Sequence, residues 1–245
     1  MLMKKLIVGL AIIAGFSVDS EAQDKKKTGD TLSVKQQKMI IISALTARGE
    51  LELLKPELSA GLDAGLSVNE IKEVLVHLYA YCGFPRSLRG LQTFMAVLDQ
   101  RKKNGINDKM GKAASAINDK RSKYERGKEI LGKLSGAPQE ANEAKPTGYA
   151  AFSPEIEIFL KEHLFADIFE RDVLTYSERE LVTVSVLVAI GGVEPMLKSH
   201  MGLFLKQDLS PAQLSELVSI IDIHVSKKEA EAARPVLTEV LKAQG

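Results

Sequence analysis

One pattern occurs twice in this chain. Leu54, Lys55, Leu62, Leu66, Ser67 and Glu73 recur as Leu197, Lys198, Leu205, Leu209, Ser210 and Glu216, at a constant offset of 143 residues. A repeat in fixed register predicts two copies of one supersecondary unit, each burying an apolar face against the other. The copies differ where chemistry is at stake. His200 stands where the first copy has Glu57, and His77 and Tyr81 stand where the second has Ile220 and His224. Each copy is therefore expected to supply a different part of any site.

Both copies read as helices, which makes the chain all-α. Ser67 followed by Glu70 is a capping box that opens a helix from Val68 to about Tyr81, with Ile71, Val74, Leu75 and Leu78 on one buried face. The second copy repeats the device with Ser210, Pro211 at the first helical position, and Gln213, followed by the stripe Leu214, Leu217, Val218 and Ile221. The Ile- and Val-rich runs Met39 to Ala47 and Leu181 to Ile190 fit buried strands as well as helices by periodicity. Capping signals before them, Ser33 with Gln36 and Ser177 with Glu180, assign both to helices.

The two repeats are placed at residues 32–103 and 149–245, joined by a connector at 104–148. That connector is rich in Lys, Gly, Ala, Asn and Ser, and a short helix is expected in it around Tyr124 to Leu134. Ser153-Pro154 should start a helix through Ile158, Phe159, Leu160 and His163, and Pro235 should kink or restart the last one. At the other end, Lys4 and Lys5 precede the apolar run Leu6 to Phe16, and Ser20-Glu21-Ala22 supplies small residues for cleavage before Gln23. Residues 1–22 therefore read as a signal peptide, and the mature chain is expected to be periplasmic or secreted without stable membrane insertion.

The formal net charge is +1, and losing the leader does not change it, because Lys4 and Lys5 are balanced by Asp19 and Glu21. Nothing in that balance suggests a nucleic-acid partner. Cys82 is the only cysteine, so an intramolecular disulfide and a CxxC redox centre are both excluded, and stability must come from the core. Four scattered histidines have no metal-ligand spacing, so neither a metal nor a cofactor is expected.

The stretch from Glu70 to Pro85, EIKEVLVHLYAYCGFP, resembles the signature of carboxymuconolactone decarboxylase-like proteins, an all-helical family that includes the alkylhydroperoxidase D-like proteins. Arg179-Glu180-Leu181, then Glu194 to Leu197, then His200 resemble its second mark. The resemblance implies a helical fold of that kind, built here from two repeats, with a small-molecule substrate. It also implies a homo-oligomer, since apolar helix faces left exposed by two repeats favour self-association. The family's peroxidase branch uses a glutamate, a CxxC pair and a histidine four residues later. Here Val193 and Met196 fill the cysteine positions, so the peroxidatic thiol is missing.

The decarboxylase branch needs no thiol. On this resemblance His200 is the candidate general acid and Glu180 the carboxylate that sets its tautomer, provided they lie within hydrogen-bond reach. His77 and Tyr81, with Glu73 one turn earlier, are candidates for binding or protonating an anionic substrate, and Arg86 and Arg89 for pairing with its carboxylate. Glu180 also fits a capping box with Ser177, and His77, Tyr81 and His200 fit satisfied packing roles. The function implied is decarboxylase-like chemistry on a small organic acid or lactone. A peroxiredoxin-type antioxidant and a non-catalytic helical binding module are the alternatives.

Overall fold

Two helices that are apolar on every side sit at the centre, because such a helix is stable only when it is surrounded. They are α1 (Val34–Arg48) and α8 (Tyr176–Ile190) in a computed structural model that describes residues 30–136 and 148–243. In α1 every residue from Met39 to Ala47 is buried, and in α8 every residue from Arg179 to Ala189. Three hydroxyls in these runs are satisfied locally: Ser43, Thr46 and Ser185 donate to the carbonyls of Met39, Ile42 and Leu181. The leader expected at residues 1–22 lies outside the described residues.

Around this pair the duplication is laid out in order. The first repeat is α1, α2 (Leu51–Asp63), α3 (Val68–His77) and α4 (Tyr79–Lys103). The second is α8, α9 (Glu194–Lys206), α10 (Pro211–His224) and α11 (Lys227–Lys242). One core runs through both repeats, taking in Leu54, Ile71, Leu75 and Phe94 from the first and Leu197, Phe204, Leu217 and Ile221 from the second. The connecting α5 (Lys123–Ser135), α6 (Gly148–Phe152) and α7 (Pro154–Phe159) lead into a π-helix, π1 (Leu160–Phe169). Among the described residues there is no strand, and no helix is long and apolar enough to cross a membrane.

The capping boxes at Ser33/Gln36, Ser67/Glu70 and Ser210/Gln213 form as the sequence leads one to expect. The fourth is displaced. Thr175 and Glu178 cap α8, while Ser177 lies inside the helix and donates to the Gln207 carbonyl at 2.6 Å. Two overlapping Thr/Ser-x-x-Glu patterns compete here, and the earlier one matches Ser33/Gln36 in the first repeat. The one-residue excess of Gly191, Gly192 and Val193 over Gly49 and Glu50 then brings the register from 142 to 143. Starting α8 two residues earlier releases Glu180 from capping and turns it into the core.

The helix expected from Val68 to Tyr81 stops at His77. Leu78 ends α3 and leads into α4, and Gly83 breaks the start of α4 with φ 79° and ψ 160°. A left-handed φ there suits glycine, and Pro85 then resumes the helix with its φ already set. Pro235 does not restart the last helix, since α11 runs through it from Lys227 to Lys242. The helix begun at Pro154 does pass through His163, but in π form from Leu160 onward.

The segment between the repeats packs on them. The carbonyls of Lys109 and Met110 accept from the Val68 and Asn69 N–H groups, satisfying donors that the first turn of α3 leaves free. Further on, α5 and π1 share a second, smaller core of Ile130, Leu134, Leu164, Phe165, Ile168 and Phe169, edged by Tyr79, Tyr81 and Tyr176. The two helices meet backbone to backbone at Gly127, where an added Cβ would stand 1.8 Å from the Lys161 carbonyl oxygen. The α5–π1 unit thus lies against the side of the bundle where the two repeats bring their polar residues together.

Candidate active site

The centre of the site is a pair of side chains from neighbouring helices of the second repeat. His200 on α9 places Nδ1 2.9 Å from Oε2 of Glu180 on α8. Glu180 is fully buried, whereas the His200 side chain keeps 16% of its surface exposed. A carboxylate can only accept, so Nδ1 carries the proton and Nε2 has no hydrogen-bond partner among the described residues.

The first repeat closes the other side. The Tyr81 ring stands edge-on to the His200 ring at 5.7 Å between centroids, and Tyr81 in turn lies 5.5 Å from the His77 ring. The break between α3 and α4 therefore still lets His77 and Tyr81 meet. Burial pushes the Tyr81 hydroxyl well above its ordinary value, and the Glu180 charge adds to this. The site consequently holds a tyrosine that stays protonated and can donate.

Behind them, a buried network fixes His77. Glu73 receives Arg171 through paired contacts at 2.9 Å and Arg179 at 2.8 Å. Burial disfavours the Glu73 carboxylate, but hydrogen bonds from the two arginines outweigh it and hold the group below its ordinary range. Arg179 also approaches His77 Nδ1 at 3.1 Å, and a guanidinium can only donate, so Nδ1 is the acceptor. The His77 proton is then on Nε2, which donates to Thr183 Oγ1 at 2.9 Å, and Thr183 donates onward to the Arg179 carbonyl. Burial holds His77 well below its ordinary pKa, and the Arg179 and His200 charges push the same way. It is a neutral imidazole with both nitrogens engaged.

The remaining sequence candidates lie elsewhere. Arg86 is exposed, with its guanidinium in the space that a side chain on Gly49 would need, and Arg89 bonds to Gln92 on the surface. Neither forms a hydrogen bond or ion pair with Glu180, His200, His77 or Tyr81. Sequence reasoning gave no role to Arg171, Arg179, Thr183 or Phe169, whose ring meets His77 edge-on at 5.0 Å. Thr183 did leave a signal, as a polar residue inside an apolar run. Arg171 left none.

Among the described residues, four buried side-chain polar atoms have no hydrogen-bond partner: Tyr79 Oη, Tyr81 Oη, Arg179 Nε and Glu180 Oε1. Three belong to this cluster and the fourth is two residues from Tyr81. Orphaned buried groups are costly and few in native proteins, and their gathering in one place marks a site kept for something other than stability.

The repeat symmetry shows what this half of the molecule has that its twin lacks. The counterpart of Glu180 and His200 is Lys38 and Glu57, an ordinary ion pair at 2.7 Å with both side chains 24% exposed. The counterpart of Arg179 and Glu73 is Gln37 and Glu216, joined at 3.2 Å. The same geometry thus occurs twice, with an imidazole in only one copy.

Two packed copies of a four-helix unit, with a carboxylate–imidazole pair at one of two pseudo-equivalent places, define a duplicated all-α protein of the alkylhydroperoxidase D-like fold. The chain belongs to the carboxymuconolactone decarboxylase family, whose model matches it in two segments, residues 20–94 and 154–239, one in each repeat. No curated protein matches it.

Proposed function

We propose that this protein is an exported enzyme that transfers a proton to or from carbon in a small lactone or related organic acid, with Glu180 and His200 as its acid–base pair. The 2.9 Å contact between these two side chains carries this assignment, because it leaves His200 Nε2 as the one free ring nitrogen at a partly open edge. In a decarboxylation the bond from carbon to the carboxylate breaks, carbon dioxide leaves, and the electron pair moves into the conjugated carbonyl of the substrate. His200, carrying a second proton taken up from solvent at Nε2 with Glu180 balancing its charge, then delivers that proton to the carbon. His77 acts as a positioning residue, since both of its nitrogens are already taken.

A thiol peroxidase has less support. Cys82 is the sole cysteine, its Sγ donates to the Leu78 carbonyl at 3.2 Å, and burial pushes the thiol up to about 11. Thiolate, the reactive form, is scarce at such a position.

Export rests on the basic, apolar and small-residue order of residues 1–22, and recovery of the mature chain in the periplasm or medium is the expected fractionation result. Self-association belongs with the same proposal: Phe84, Leu88 and Met95 stand exposed along one side of α4. Light scattering should give a mass above that of one chain, and a monomeric mass would remove this part.

The decisive test is turnover of 4-carboxymuconolactone by the purified protein, followed by loss of the lactone and release of carbon dioxide. Wild type should turn over and His200→Ala should lose at least about a hundredfold, as expected when a general acid is removed. Absence of turnover by the wild type rejects this substrate, and an active His200→Ala rejects the assignment of the acid.

A further inference from the structure

Glu180 and Tyr81 each leave one polar atom unused, and the two atoms are complementary. Glu180 Oε2 is committed to His200, while Oε1 is buried and unpaired. Tyr81 Oη is also buried and makes no hydrogen bond of ordinary geometry, although the Thr183 hydroxyl stands near it, on a ring that flanks the same imidazole. One atom is an obligate acceptor and the other a donor, yet they do not bond to each other. A group that both accepts and donates satisfies them together, and a protonated oxygen of a neutral group does this with a single atom.

The local charges disfavour the other common ligand. An incoming carboxylate would meet the Glu180 carboxylate and would need a free cation. The two nearby guanidinium groups, Arg171 and Arg179, are both ion-paired with Glu73, and one N–H of Arg179, at Nε, stays buried and unpaired. Arg86 lies exposed against Gly49. From this juxtaposition we infer that Tyr81 Oη and Glu180 Oε1 together form a receptor for one neutral protic oxygen, an enol or hydroxyl of the substrate or a water molecule in its place. Any carboxylate of the substrate is held outside it. This rests on the acid–base function proposed above and adds to it: the oxygen bound here lies beside His200, so proton transfer at carbon by Nε2 would be coupled to an enol held by Tyr81 and Glu180.

Equilibrium binding tests the inference without requiring turnover. The ring proton and nitrogen resonances of His200 are followed by NMR while the full mature chain is titrated with phenol, as an enol mimic, and separately with benzoate. Phenol should shift them and benzoate should not. Tyr81→Phe, which removes only one oxygen, should weaken phenol binding about tenfold, the effect of losing one neutral hydrogen bond. Unchanged His77 resonances in that variant establish that it is folded.

A crystal structure of the unliganded protein separates the two sources. A water within hydrogen-bond distance of both atoms, with no phenol response, identifies water as the occupant; a phenol response identifies a substrate oxygen. Benzoate binding at least as tightly as phenol, an unchanged phenol affinity in Tyr81→Phe, or neither occupant at the receptor overturns the inference. Phenol binding without any turnover would contradict the acid–base function and leave the receptor standing. Turnover that depends on His200 but not on Tyr81, with no phenol response and no bridging water, would do the reverse.

Discussion

At the scale of single residues, the buried network makes claims that can be measured. His77 is neutral in the fold and held well below its ordinary value of 6.5. As pH falls through about 6.5 the unfolded chain takes up a proton that the folded chain does not, so its contribution is complete above that value and declines below it. The decline is at most about 1.4 kcal/mol per pH unit. Urea unfolding at pH 7.5, 6 and 5 should show it, and His77→Gln should flatten the slope; an equally steep slope in that variant would remove His77 as its source. Glu73→Ala leaves the Arg179 guanidinium buried without its counter-ion and should cost about 3–5 kcal/mol. The counterpart Glu216→Ala breaks only neutral donors, Gln37 and the Leu32 N–H, and should cost about 1–3 kcal/mol. Equal losses in the two would refute the asymmetry. The pair Glu180 and His200 was legible in the sequence from its likeness to a known motif. The arginine contacts behind it were not, although Arg179 belongs to the same motif, because Arg171 and Arg179 reach Glu73 across about a hundred residues of chain, and no local pattern records such a contact.

Elements were easier to read than contacts. A capping box is written in four consecutive residues, so the starts of α1, α3 and α10 could be placed from sequence. The start of α8 was misplaced because two such patterns overlap by two residues, and tertiary packing chose between them. The break at Gly83 and the π form of residues 160–169 follow from how those segments meet their neighbours rather than from periodicity. The closest such meeting is at Gly127, against the Lys161 carbonyl. Gly127→Ala should force α5 and π1 apart at a cost of about 1–3 kcal/mol. Because these helices have a core of their own, hydrogen exchange should speed up in 123–135 and 160–169 while α1 and α8 stay protected. Uniform acceleration throughout the chain would show that the two cores are one cooperative unit.

For the molecule as a whole, duplication has produced two equivalent places and a single candidate site. The all-α architecture and the pairing of the two repeats follow from the 143-residue register. That each copy supplies a different part is expected from their divergence in sequence, but where the parts meet follows only from the fold, which sets Tyr81 and His77 of the first repeat beside Glu180 and His200 of the second. The twin place holds Lys38 and Glu57, whose ion pair ties α1 to α2 and contains no imidazole. The central claim is therefore that acid–base work belongs to one half of a pseudo-symmetric molecule. Its most direct test is to compare Glu180→Gln with Glu57→Gln, the symmetry-related carboxylate pairs each losing one charge, in the same carbon dioxide release assay. Glu180→Gln should lower kcat by about a hundredfold or more while Glu57→Gln stays within about twofold of wild type. Equal activity in the two variants, whether both high or both low, would contradict the account.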